Sequence, residues 1–185
     1  MDLKELLLKQ KEEEAKKKED AKPQMTKEMI IERFRSFVIQ FIDKVVGDWL
    51  KELMDEGLVQ CDPFDIEISE ERLGTYSVVG LKTQIGKTEV VFRPVGTEMI
   101  GTIGRIDMIV NNRSIQDCMF ILAPQKAKSP RIRVITWVEG EEKPKMPKEE
   151  DLGPLEWKYV ERTDRMQYVS LNKESFQQVI LKHIL

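Results

Sequence analysis

The sequence predicts an α+β fold. It consists of a mainly antiparallel β-sheet meander of roughly six to eight strands, one long amphipathic helix and a short C-terminal helix covering it, and a charged N-terminal helical arm. Three observations predict it. From Met29 to Met54 apolar residues recur at i, i+3 and i+4; from residue 64 to 170 short β-branched runs alternate with turn residues; and an apolar face follows Asn172 at the chain's end. No helical pattern separates the strand runs, so the connections are too short for parallel crossovers and an antiparallel order follows.

The first 22 residues carry seven basic and seven acidic side chains in alternating blocks. Leu3, Leu6 and Leu7 supply a brief apolar stripe, and Ala15 and Ala21 are the only apolar residues from Glu12 to Lys22. Such a run suits a solvated helix with i,i+4 ion pairs, marginal unless another surface orders it. The arm is therefore expected over 1–22 and one α+β domain over 23–185. Pro23 separates the two and Thr26 offers an N-cap.

The long helix is expected over 26–56, with Ile30, Ile31, Phe34, Phe37, Val38, Phe41, Ile42, Val45, Val46, Trp49, Leu50, Leu53 and Met54 on a wide apolar stripe and Gly57 as the left-handed residue that ends it. Strands are expected at 64–70, 74–84, 88–94, 103–111, 116–123 and 131–139, and near 157–161 and 166–170. The glycines between 96 and 104 mark a bend or bulge. The segment 139–154 holds three prolines among charge blocks and reads as a solvated loop. Asn172 caps a final helix, Lys173–Leu185, in which Phe176, Val179, Ile180, Ile184 and Leu185 make an apolar face.

One motif invites a larger claim. Gly80 to Thr88 reads GLKTQIGKT and ends like a phosphate loop. The gap between Gly80 and Gly86 is one residue too long, and Thr88–Pro94 is β-branched and aromatic where a helix is required. A hairpin turning at Gly86-Lys87 is expected instead, and a second hairpin turns at Asn111-Asn112.

Charge is uneven along the chain: net −6 over residues 1–70, +4 over 71–140 and −1 over 141–185. Within the basic centre, Arg131, Arg133 and Trp137 alternate onto one strand face, where arginine beside an aromatic could grip phosphate and stack a base. The same pattern serves an arginine shielding Trp137 on a two-sided sheet. The catalytic alternatives are thin. The only histidine, His183, is the third residue from the end, so a histidine base next to a nucleophile is not expected. Cys61 and Cys118 have no metal-ligand spacing and fit a reducing compartment. Asp107 and Asp117 flank the second hairpin turn, but Arg105 and Arg113 stand ready to neutralise them, so an ion-pair cluster is favoured over a cation site.

The functional expectation is a non-enzymatic interaction or assembly module, self-associating through its helical segments, with Leu3, Leu6, Leu7, Arg131, Arg133 and Trp137 as candidate surface. No cofactor or metal is expected, and a protein partner is favoured over nucleic acid. The charged N-terminus reads neither as a signal peptide nor as a membrane span, so a cytoplasmic location follows.

Overall fold

A computed structural model describes residues 25–97, 102–130, 153–162 and 166–184, apart from the side chains of 115–118. Helix α1 spans Lys27–Lys44 and a π-helical turn continues it through Val45–Trp49, followed by a short helix α2 at Lys51–Asp55. Among the described residues seven strands follow: β1 Val59–Glu70, β2 Gly74–Ile85, β3 Thr88–Gly96, β4 Gly104–Val110, β5 Arg113–Pro124, β6 Leu155–Arg162 and β7 Met166–Ser170. Helix α3, Lys173–Ile184, ends the described chain. The strands lie in the sheet in chain order, each antiparallel to the next. The expected α+β meander is what forms, while the arm 1–22, the strand at 131–139 and most of the loop 139–154 lie outside the described residues.

Local chemistry fixes the element ends. Thr26 Oγ1 accepts the Met29 N–H at 3.3 Å and starts α1. The Leu58 N–H reaches Leu53 O at 2.8 Å and the Gly57 N–H reaches Met54 O at 2.9 Å, with Gly57 at φ +71°, which is a Schellman stop. Asn172 and Ser175 cap α3 reciprocally, side chain to backbone, at 2.8 and 2.9 Å. At the first hairpin Gly86 has φ +57°, and at the second Asn111 and Asn112 both have positive φ, so each turn twists as the strands require.

The long helix departs from a regular spiral at one place. Leu50 N–H bonds to Val45 O, five residues back, at 2.9 Å. The extra residue in that turn lets the consecutive Trp49 and Leu50 both be buried, which a 3.6-residue repeat does not allow for long. The Trp49 carbonyl released by the wider turn accepts a hydrogen bond from Gln177 Nε2 of α3 at 3.0 Å.

The helices cover one face of the sheet. Phe41 sits at the centre of that core, its ring 5.4 to 6.4 Å from those of Trp49, Phe92, Phe120, Trp157 and Phe176. Gly104 is the floor beneath α1, where a Cβ would stand 2.8 Å from the Phe34 ring. The opposite face has a smaller cluster of Ile121, Ala123 and Val160, with Met119, Ala127 and Tyr168 packed against it. The residues just after β5 lie against this face. Lys158, 3% exposed, donates from Nζ to Gln125 O at 2.8 Å and to Ser170 Oγ at 3.4 Å, and pairs with Glu156 at 2.8 Å. Burial pushes the Glu156 carboxyl up, but the bonds from Lys158 and Ser170 and the positive charges nearby outweigh it and hold the pKa below its usual value. A fully bonded buried ammonium of this kind clamps chain in place.

Candidate interaction surface

The β1–β2 ribbon is where the regular pattern breaks. In β2 the buried positions are Tyr76, Val78 and Gly80, then Leu81 and Thr83, so the buried set changes parity between neighbouring residues. β1 changes with it: Val59 and Cys61 face inward, then Ile66 and Ile68. The ladder between the two strands is unbroken, from Val59↔Ile85 to Glu70↔Gly74. A continuous ladder can switch its buried set only by turning its other face inward, so the ribbon twists sharply at this point. Gly80 sits at the twist, where a Cβ would lie 2.9 Å from the side-chain ends of Ile66 and Phe64.

The twist has a cause on the next strand. β2 and β3 pair from Ile85↔Thr88 to Leu81↔Phe92 and no further. The next outward-bonding position of β2 is Val79, and the residue in register with it is Pro94, which has no N–H to give. β3 stays with β4, with a register shift between Pro94 and Gly96 as the glycine run led us to expect. Freed from β3, the far half of the ribbon turns Ile68, Tyr76 and Val78 into the core shared with α1. Its tip is tied back by Glu70, whose carboxylate accepts from Tyr76 Oη, from Thr97 N at 2.9 Å and from Thr97 Oγ1 at 3.2 Å.

Among the described residues, β2 therefore has no strand beside it at Thr75 and Ser77 on the side away from β1. Helix α1 stands there instead. Arg35 Nε donates to the Ser77 carbonyl at 2.9 Å, while its other nitrogen pairs with Glu32 at 3.4 Å. Between helix and strand edge runs a groove of about 110 Å³ lined by Arg35, Ile39, Asp65, Ser77, Val78 and Val79. Ile39 is 48% exposed at its rim. Chemically this is an extended backbone edge with an apolar wall beside it, closed by one side-chain donor.

The residues singled out from sequence fall as follows. Leu3, Leu6, Leu7, Arg131, Arg133 and Trp137 all lie outside the described residues. Asp107 is held by Arg105 through both guanidinium donors, Nε to Oδ1 and Nη2 to Oδ2, the latter at 3.0 Å, and faces Met119 across the ladder. The side chain of Asp117 lies outside the description. Among the described residues no group of three His, Cys, Asp or Glu side chains could hold a metal ion, and no helix is long and apolar enough to cross a membrane. His183 is half-buried in the last turn of α3, beside a cleft lined by Tyr159, Glu161 and Lys182. Cys61 lies partly buried against Thr83, and burial pushes its thiol above the ordinary range despite that hydrogen bond. The GLKTQIGKT stretch forms the β2–β3 hairpin, as its spacing predicts.

Arg35, Ser77 and Val79 were not singled out. The signals were present as a slipped alternation at Gly80 and a proline closing β3, but their meaning depends on the pairing register. No family model, curated protein or solved structure shows a significant match to the chain.

Proposed function

We propose that the protein is a non-enzymatic protein–protein interaction module of the cytoplasm, which takes its partner at the β2 edge beside α1. The arm 1–22 and α1 add self-association. The observation that carries the reading is the Thr75–Val79 edge, left without a strand neighbour among the described residues and lying along an apolar-walled groove. Soluble proteins commonly blunt or cover such edges, because unpaired N–H and C=O groups recruit other chains. Here the cover is the side chain of Arg35, 38% exposed, which can swing aside without disturbing the core.

The test compares three versions of the chain: full length, one beginning at Lys22, and full length with Val79→Lys. Each is used as bait in an extract of its native source, and its mass is measured by light scattering. Protein partners lost with Val79→Lys support binding at the edge, and a lower mass for the shortened chain supports self-association through the arm. The same partners and mass for all three would overturn the reading. Nuclease-sensitive material retained by all three would favour the nucleic-acid alternative carried by Arg131, Arg133 and Trp137.

A further inference from the structure

We infer that the occupant of the β2 edge is an extended, cationic peptide segment that adds as a strand alongside Thr75–Val79. This rests on the reading of that edge as the partner-binding surface, and it specifies the partner's conformation and charge.

The conformation follows from backbone geometry. In the β2–β3 hairpin, Ile85, Thr83 and Leu81 direct their N–H and C=O groups toward β3, as the two-residue turn at Gly86-Lys87 requires. In a regular strand the same side is served by Val79, Ser77 and Thr75, the odd-numbered residues that follow. Arg35 reaching the Ser77 carbonyl agrees with that orientation. An added strand replaces the guanidinium at Ser77 O with a backbone N–H and continues along the edge, the mode in which main-chain bonds give affinity and flanking pockets give selectivity. Ile39 and Val79 supply the apolar contact for alternate side chains.

The charge follows from what remains when Arg35 moves away. Asp65 lines the groove, Glu67 lies directly across the ladder from Ser77, and Glu32 stands beside the Arg35 guanidinium. Neither Asp65 nor Glu67 has an ion-pair partner among the described residues. Withdrawal of that cation leaves Asp65 in the groove, with Glu67 and Glu32 close to its ends. A lysine or arginine on the incoming strand restores the balance, whereas an acidic segment would add repulsion.

The experiment uses the full chain, labelled for NMR, titrated with acetyl-Lys-Val-Lys-Val-Lys-amide to about 1 mM, the affinity range of a short single strand. Expected are shifts confined to Thr75–Val79, Arg35 and Ile39. Two control peptides carry N-methyl groups on alternate residues, one on the valines and one on the lysines. Strand addition predicts that one of them binds about tenfold more weakly and the other is tolerated, because only one alternation presents its N–H groups to the edge. A peptide with glutamate in place of lysine binds more weakly than the parent. Asp65→Asn weakens the lysine peptide, and Arg35→Ala tightens it about threefold to tenfold by removing both a competitor for Ser77 O and a like charge.

Shifts elsewhere, equal binding of both methylated peptides, or equal binding of the acidic peptide would overturn the inference. So would concentration-dependent dimerisation of the free chain through Thr75–Val79, which would make a second copy the occupant. Should Val79→Lys abolish capture of a natural partner while no peptide binds, the edge remains the binding surface and strand addition is wrong.

Discussion

Two strand edges in this molecule are covered by different means. The outer edge of β7 gives its Tyr168 N–H to the Lys128 carbonyl at 2.9 Å, so backbone covers backbone. The chain supplying that carbonyl is anchored close by, where buried Lys158 grips Gln125 O. The edge of β2 is covered at Ser77 by a half-exposed arginine side chain. The first cover cannot leave without moving a clamped stretch of chain and exposing Ile121, Ala123 and Val160. The second leaves by a rotation of side-chain bonds, forfeiting one half-exposed hydrogen bond worth under about 0.5 kcal/mol where water takes its place. Equivalent edges are thus protected to very different degrees, and the weakly protected one is the better place for a partner to enter.

The strongest attempt to break this contrast is Lys158→Met. It leaves Glu156 and Gln125 O without their buried donor and should cost about 2–3 kcal/mol, below the full loss for a broken buried pair because Glu156 is partly exposed. Denaturant unfolding reads the loss, and hydrogen exchange should speed at Tyr168 while Ser77, already open, stays fast. If Tyr168 remains protected, the clamp does not hold that edge. Thr26→Ala removes the cap of the helix that bears Arg35 and should cost about 1 kcal/mol, fraying its first turn without effect on Tyr168 exchange.

Smaller is the pH effect at Glu156. Its folded pKa lies below the ordinary 4.5, so the unfolded carboxyl takes up its proton first as pH falls. The stabilisation is therefore present above about pH 4.5 and is lost as pH drops through the folded value. A comparison with Glu156→Gln across that range should show a difference above it that closes below it, and a pH-independent difference would contradict the clamp. Least of all, Arg35→Ala should change stability by under about 0.5 kcal/mol. A large loss would mean that Arg35 is structural and that the two edges are equally fixed.

Much of the fold was legible from local chemistry. The i, i+3/i+4 stripe, Thr26, Gly57 and Asn172 set the helices, and glycine and asparagine turns set the hairpins, because these depend on residues within a few positions of one another. Strand ends were less accurate. β1 begins at Val59 rather than 64, since Asp62 and Pro63 are poor strand formers that break the sequence pattern and are taken into the ladder by pairing with β2. Pro63 is tolerated because it lies on the edge strand at a position whose N–H would face away from β2. The π turn was also hidden, because only the arrival of Phe176 and Gln177 from α3 makes the adjacent Trp49 and Leu50 worth burying together.

By itself the sequence determined the class, the order of helices and strands, the two hairpin turns and the rejection of a phosphate loop, all of which follow from periodicity and backbone preference. Tertiary structure decided that β2 parts from β3 at Pro94, that the ribbon turns over at Gly80, and that Arg35 comes to stand at Ser77. The reason is that a strand edge is defined by what fails to pair with it. That depends on register between segments 15 residues apart and on a helix 42 residues away, separations over which local preference carries no information.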